Sequence, residues 1–100
     1  MINVLPAHLV TVRRILAQHV PGYEVRAFGS RITDTIKNYS DLDLAIVGRE
    51  PLADGVLSLL KENFQESDLP FRVDVLDWHE ISEEFRQVIN KKYEIIQLSQ

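Results

Sequence analysis

Apolar residues recur along the chain with two different periods, and the changes of period mark out the elements. Leu9, Val12, Ile15, Leu16 and Val20 follow the spacing of a helix face between Pro6 and Val20. Pro6 suits the first turn, where its missing amide hydrogen costs nothing, and Pro21-Gly22 ends the helix. Val25, Ala27 and Phe28, within a stretch from Tyr23 to Gly29 bounded by glycines, read as a short strand. Ser30 to Asn38 is polar with isolated Ile32 and Ile36, which predicts a short helical turn and then a loop. Leu42-Asp43-Leu44-Ala45-Ile46-Val47-Gly48 is a second strand, apolar enough for the centre of a sheet.

Pro51 is expected to open the next helix, whose face is Leu52, Val56, Leu59, Leu60 and Phe64. Phe71 to Leu76 alternates Phe71, Val73 and Val75 against Arg72, Asp74 and Leu76, a third strand. Ser82 is a candidate N-cap, with Glu83 and Glu84 where the helix dipole favours anions and Lys91 and Lys92 at the other end. Phe85, Val88 and Ile89 give that helix its apolar face, and Tyr93 to Leu98 is a candidate last strand. The order α-β-(α)-β-α-β-α-β predicts one α/β domain over residues 1–100, without linker or repeat.

Composition narrows the class. One hundred residues with 45% hydrophobic content suffice for a single core. The absence of cysteine excludes a disulfide framework and a thiolate zinc site. Fifteen acidic against eleven basic residues leave a net charge of −4, without the basic excess of a duplex-binding protein, so no direct nucleic-acid binding is expected. No apolar run reaches the roughly 18–20 residues of a membrane span, and the first residues lack a signal-peptide pattern. A soluble, cytoplasmic domain is the expectation.

Three features carry chemistry. In Phe28-Gly29-Ser30-Arg31 a strand runs into a glycine, which permits close approach of a ligand, and then a serine that can open a helical turn whose amides suit phosphate oxygens. An ordinary turn reads the same way. In Ser40-Asp41-Leu42-Asp43-Leu44, Asp41 and Asp43 share one face of a strand while Leu42 and Leu44 take the other. Two adjacent carboxylates repel unless a cation sits between them, and their hard oxygens are the ligands Mg²⁺ prefers. The bland reading is a turn residue followed by an exposed strand position, but strand interiors are depleted in Asp. Asp74 is a third carboxylate among β-branched residues in a strand. It completes a cluster if its strand pairs with that of Asp43. Alternation puts Asp74 with Asp41 and Asp43 on an open face, and puts Val73, Val75 and Asp77 toward the helices, with Asp77 escaping burial at the strand end.

Gly29-Ser30, ten intervening residues and Asp41-x-Asp43, followed by Val73-Asp74-Val75-Leu76-Asp77, resemble the signature of the DNA polymerase β-type nucleotidyltransferase superfamily. Within it the resemblance is closest to the minimal nucleotidyltransferases, the MNT antitoxins of HEPN–MNT toxin–antitoxin pairs. Asp34 stands where family members often carry a glycine, which implies a slightly altered loop. The resemblance implies a small α+β nucleotidyltransferase core, a mixed sheet of about four strands flanked by helices. It also implies two Mg²⁺ ions on Asp41, Asp43 and Asp74, with Asp74 helping to deprotonate the attacking hydroxyl. Gly29 and Ser30 would cradle the β- and γ-phosphates, with Arg31 adding charge. The implied reaction is transfer of AMP from ATP, releasing pyrophosphate. The implied acceptor is a tyrosine hydroxyl of a HEPN-domain ribonuclease toxin, in a hetero-oligomer with it.

Other readings compete. Phosphatases of the haloacid dehalogenase type also use Asp-x-Asp, but at the C-terminal end of an apolar strand, the reverse of the order here. His8, His19 and His79 fall in no metal-ligand spacing, and Trp78 reads as a packing anchor rather than an adenine platform. A non-catalytic nucleotide-binding antitoxin that acts by occlusion, and a small-molecule nucleotidyltransferase, are the alternative functions. The small-molecule reading is the least expected of these, because it calls for an acceptor-binding domain beyond the minimal core.

Overall fold

The computed structural model of the chain describes residues 2–32 and 41–99. The elements are α1 (Pro6–His19), β1 (Glu24–Phe28), a 3₁₀ turn (Ser30–Ile32), β2 (Leu42–Val47), α2 (Val56–Glu66), β3 (Val73–Asp77), a second 3₁₀ turn (Trp78–Glu80), α3 (Glu83–Lys91) and β4 (Glu94–Gln97). The loop expected after Ile32, with Asp34, lies outside the described residues, and so does Ser40. Pro6 opens α1 as its spacing suggests, and the Ser82 hydroxyl accepts a hydrogen bond from Phe85 N–H at 3.1 Å to cap α3.

The strands form one sheet in the order β3-β2-β1-β4, with β1 antiparallel to β2 and β4 and with β2 parallel to β3. This is the mixed four-stranded sheet that the resemblance implies. Alternation gives the sheet two unlike faces. Val25, Ala27, Leu42, Leu44, Ile46 and Val75 point to one side and are fully buried, against Val12, Ile15 and Leu16 of α1 and Leu60 and Phe64 of α2. Arg26, Phe28, Asp43, Ala45, Asp74 and Leu76 take the other side.

Beside β1 the second face is covered by α3 together with Trp78 and Tyr93. Arg26 Nη1 donates to Asn90 Oδ1 at 2.7 Å, and its guanidinium sits 5.0 and 4.6 Å from the Trp78 and Tyr93 ring centroids. Arg86 Nε donates to the Trp78 carbonyl at 2.9 Å. Trp78 is therefore the packing anchor expected. It holds the last turn and α3 to the sheet.

Two element starts differ from the sequence reading by two residues or more. Helix α2 begins at Val56 rather than Pro51, because Gly55, at φ +83°, turns the chain into it. The residues before it follow a tertiary contact instead: Leu52 N–H donates to Asp77 Oδ2 at 2.9 Å. Strand β3 begins at Val73, and Phe71 leaves the ladder to stack on Arg31, 4.1 Å from guanidinium carbon to ring centroid, and to meet the His8 ring. Asp77 faces the helices as alternation requires, but it does not escape burial. It is 3% exposed, and its carboxylate accepts the backbone N–H groups of Leu52 and His79. Among the described residues, no helix is long and apolar enough to cross a membrane.

Candidate active site

Register assembles the site. Phe28 lies opposite Asp43 across β1 and β2, and Asp43 lies opposite Asp74 across β2 and β3. A row Phe28–Asp43–Asp74 thus crosses three strands on the half-open face, with neighbours about 5 Å apart. Asp41 sits two residues before Asp43 on that face, where Leu42 N–H donates to the Arg72 carbonyl at 2.9 Å and starts the β2–β3 ladder. At the same end of the sheet β1 runs into Gly29 and the Ser30–Ile32 turn, which Ile32 N–H closes onto the Gly29 carbonyl at 3.2 Å. Gly29 is at φ +84°, and a β-carbon there would collide with Asp43 Oδ2. The backbone conformation favours glycine here, and a β-carbon would in addition push the Asp43 carboxylate aside. The close approach expected at Gly29 is therefore made first by the Asp43 carboxylate.

Asp43 and Asp41 are perturbed by their surroundings. Burial, then the negative charges of Asp74 and Asp41, push the Asp43 carboxyl up to about 6. Asp41 is also raised, by burial first and then by a hydrogen bond and the charge of Asp74, against the opposing pull of Arg72 and Arg31. Asp74 in turn pairs with Arg72, Nε to Oδ1 at 3.1 Å. Arg72 is 75% exposed, and a pair so open to water holds Asp74 only weakly. The sequence reading did not single out Arg72, although its place two residues before Asp74 puts it on the same face.

Arg31 lies elsewhere than a phosphate-facing position would require. It is 6% exposed, its Nη1 donates to the Asn3 carbonyl at 3.0 Å, and its own carbonyl accepts Asn3 N–H at 2.6 Å. Burial lowers its pKa while Asp41 raises it. It therefore fastens the chain before α1 to the turn and lends charge to Asp41 from below. The histidines are engaged away from the carboxylates: His8 with Phe71, His19 Nε2 with Asn63 Oδ1 at 2.8 Å, and His79 Nε2 with the Gly48 carbonyl at 2.6 Å.

The donor chemistry of Asp41, Asp43 and Asp74 fits hard divalent cations, and their mutual repulsion is what a cation would relieve. Among the described residues, no three acidic or imidazole groups already surround a single cation position. Asp41 is turned toward Asp74, and Asp74 toward Arg72. Side-chain rotation at Asp74, away from an exposed partner, is what closing the set takes.

Residues 9–98 match the nucleotidyltransferase domain family. The probable protein adenylyltransferase MntA of Haemophilus influenzae is 52% identical over 96 residues, covering 96% of this chain and 84% of that protein. A toxin–antitoxin structure with AMP-PNP has the same fold, with a TM-score of 0.74 at 22% identity over 96% of this chain and 76% of its own. So has a structure of the tri-AMPylated Shewanella oneidensis HEPN toxin with its MNT antitoxin, with a TM-score of 0.68 at 19% identity over 93% of this chain and 71% of its own.

Proposed function

Since the chain belongs to the nucleotidyltransferase domain family, we propose that it is an antitoxin that transfers AMP from ATP to a tyrosine hydroxyl of a cognate HEPN ribonuclease toxin. The observation that carries this reading is the row of carboxylates on one half-open face, with Gly29 against Asp43. The relative from Haemophilus influenzae, a probable protein adenylyltransferase, is 52% identical to this chain over 96 residues, and the Shewanella oneidensis toxin is AMPylated. Both support protein as the acceptor.

The hydroxyl oxygen attacks the α-phosphorus, the bond to the β-phosphate oxygen breaks, and pyrophosphate leaves. Asp74, on the β3 side, takes the hydroxyl proton, which requires it within hydrogen-bond reach of the acceptor. Asp41 and Asp43 would hold Mg²⁺ against the triphosphate, and the Gly29–Ser30 turn offers its backbone N–H groups to the β- and γ-phosphates. Asp41, Asp43 and Asp74 are the residues that would hold two Mg²⁺ ions, which when bound stabilise both the entering and the leaving oxygen. The chain acts as a single domain over residues 1–100, in the cytoplasm and in a hetero-oligomer with the toxin.

The test is incubation with α-labelled ATP, Mg²⁺ and the HEPN protein encoded beside it. Label should appear on the toxin in step with pyrophosphate. If Asp41→Asn/Asp43→Asn neutralises the toxin as well as the parent does, and without label, the protein works by occlusion and the transfer reading fails.

A further inference from the structure

The two sides of the carboxylate row differ in chemistry. On the β3 side, Asp74 borders a cleft of about 560 Å³ whose lining includes Lys61, Gln65 and Arg72. On the β1 side the row ends in an aromatic pair. The Phe85 ring of α3 meets Phe28 edge to face, 5.8 Å between centroids at 84°. Phe28 is 9% exposed, whereas Phe85 keeps 37% of its surface in water. Helix α3 is already anchored by buried Ile89 and by the bonds of Arg26 to Asn90 and of Arg86 to the Trp78 carbonyl. Phe85 is thus a half-open aromatic ring one strand away from Asp43.

We infer that Phe85 is the platform on which the nucleoside of the donor triphosphate packs, and so the residue that selects a nucleotide over a bare polyphosphate. This rests on the transfer reading above. In an in-line displacement the acceptor and the leaving pyrophosphate occupy opposite ends of the axis. With the proton acceptor Asp74 on the β3 side and the Gly29–Ser30 turn after β1, that axis runs along the row. The nucleoside, attached to the α-phosphorus across the axis, then points out of the sheet into the layer that α3 occupies. There Phe85 is the α3 side chain that reaches the row. The acids Glu83 and Glu84 in the first turn of α3 disfavour phosphate at that level, and a neutral ring beside them leaves the nucleoside as the group that fits. Stacking on one ring is tolerant of base identity, because every base has a π-face.

The test compares the binding of Mg·ATP, Mg·GTP and Mg-tripolyphosphate to the full chain by calorimetry. Phe85→Ala should weaken ATP and GTP alike, by about five- to a hundredfold, while tripolyphosphate binding changes by less than about twofold. Phe85→Leu, which keeps apolar bulk against Phe28, should show the same selectivity with the fold intact, and Phe85→Trp should restore nucleotide affinity. Unchanged ATP affinity in Phe85→Leu, or equal weakening of ATP and tripolyphosphate, overturns the proposal. So does a defect confined to the KM for the toxin. A parent protein that binds neither ATP nor tripolyphosphate overturns the transfer reading itself, and this proposal with it.

Discussion

Removing the charge of Asp43 should make the protein more stable when no divalent cation is present. Burial, Asp74 and Asp41 raise this carboxyl from 3.8 to about 6. At pH 7.5 it is ionised in the folded and the unfolded chain alike, so the folded chain bears the cost of holding the charge. At 1.36 kcal/mol per pH unit the rise corresponds to about 3 kcal/mol, and screening at a half-buried site reduces it to about 1–2 kcal/mol. As pH falls through 6 the folded carboxyl takes up its proton before the unfolded one does, and the cost fades. Below pH 4 both states are protonated and it is gone. A raised carboxyl thus favours the folded state on acidification, the reverse of a carboxylate held in an ion pair. Asp43→Asn is neutral throughout. It should exceed the parent by about 1–2 kcal/mol at pH 7.5, a rise in Tm of about 4–16 °C for a domain of this size, and should match it near pH 4. Urea denaturation in EDTA at the two pH values measures the difference. Adding Mg²⁺ at pH 7.5 should stabilise the parent by mass action and leave the variant where it was. A variant less stable than the parent in EDTA at pH 7.5, or a gain that persists unchanged at pH 4, would refute the electrostatic account.

Gly29→Ala should cost roughly 1–2 kcal/mol from the left-handed backbone alone and, by displacing the Asp43 carboxylate, weaken Mg·ATP binding at least about tenfold; calorimetry on the folded fraction decides. Asp74→Asn should abolish transfer while Asp41 and Asp43 preserve most ATP binding, as read by single-turnover labelling and calorimetry. Asp77→Asn should lower stability by about 1–3 kcal/mol, since it weakens two bonds from buried N–H groups, yet keep transfer per folded molecule within about tenfold. Asp77 essential and Asp74 dispensable would mean that the β2–β3 register is displaced.

What the sequence made legible was local. Period and punctuation located four strands and three helices, and the Ser82 cap formed as its chemistry demands. Alternation placed Asp43 and Asp74 on one face, although their pairing across a parallel ladder depends on tertiary structure. The misreadings share one cause, contacts between residues distant in sequence. Pro51 is a good helix starter, but Leu52 is held by Asp77, so the helix waits for Gly55. Asp77 looked like an exposed strand end because nothing near it in sequence reveals that Leu52 would cover it. Arg31 next to Gly29-Ser30 suggests a phosphate contact, but Phe71 and Asn3 draw it inward. Only the tertiary structure shows that the first group crowding Gly29 is Asp43 itself.

The opposition of the two faces explains how a small domain tolerates this site. Asp41, Asp43 and Asp74 repel one another across the β2–β3 ladder and by themselves would push those strands apart. On the reverse face, Leu42, Leu44 and Val75 are fully buried beneath α2, so the strands stay together through burial rather than through anything in the site. A one-residue slip of β2 or β3 would turn its carboxylates into that core and its leucines or valines into water. The same alternation therefore sets both core and site, and the register that buries the apolar residues is the one that aligns the carboxylates. Gly29 adds a third constraint, because it leaves Asp43 just enough room beside β1. The strands that carry the cluster are held in a repulsive, unfavourable arrangement by a core that does not depend on what binds there, so rotation of the Asp74 side chain is the step left for a cation to bring about.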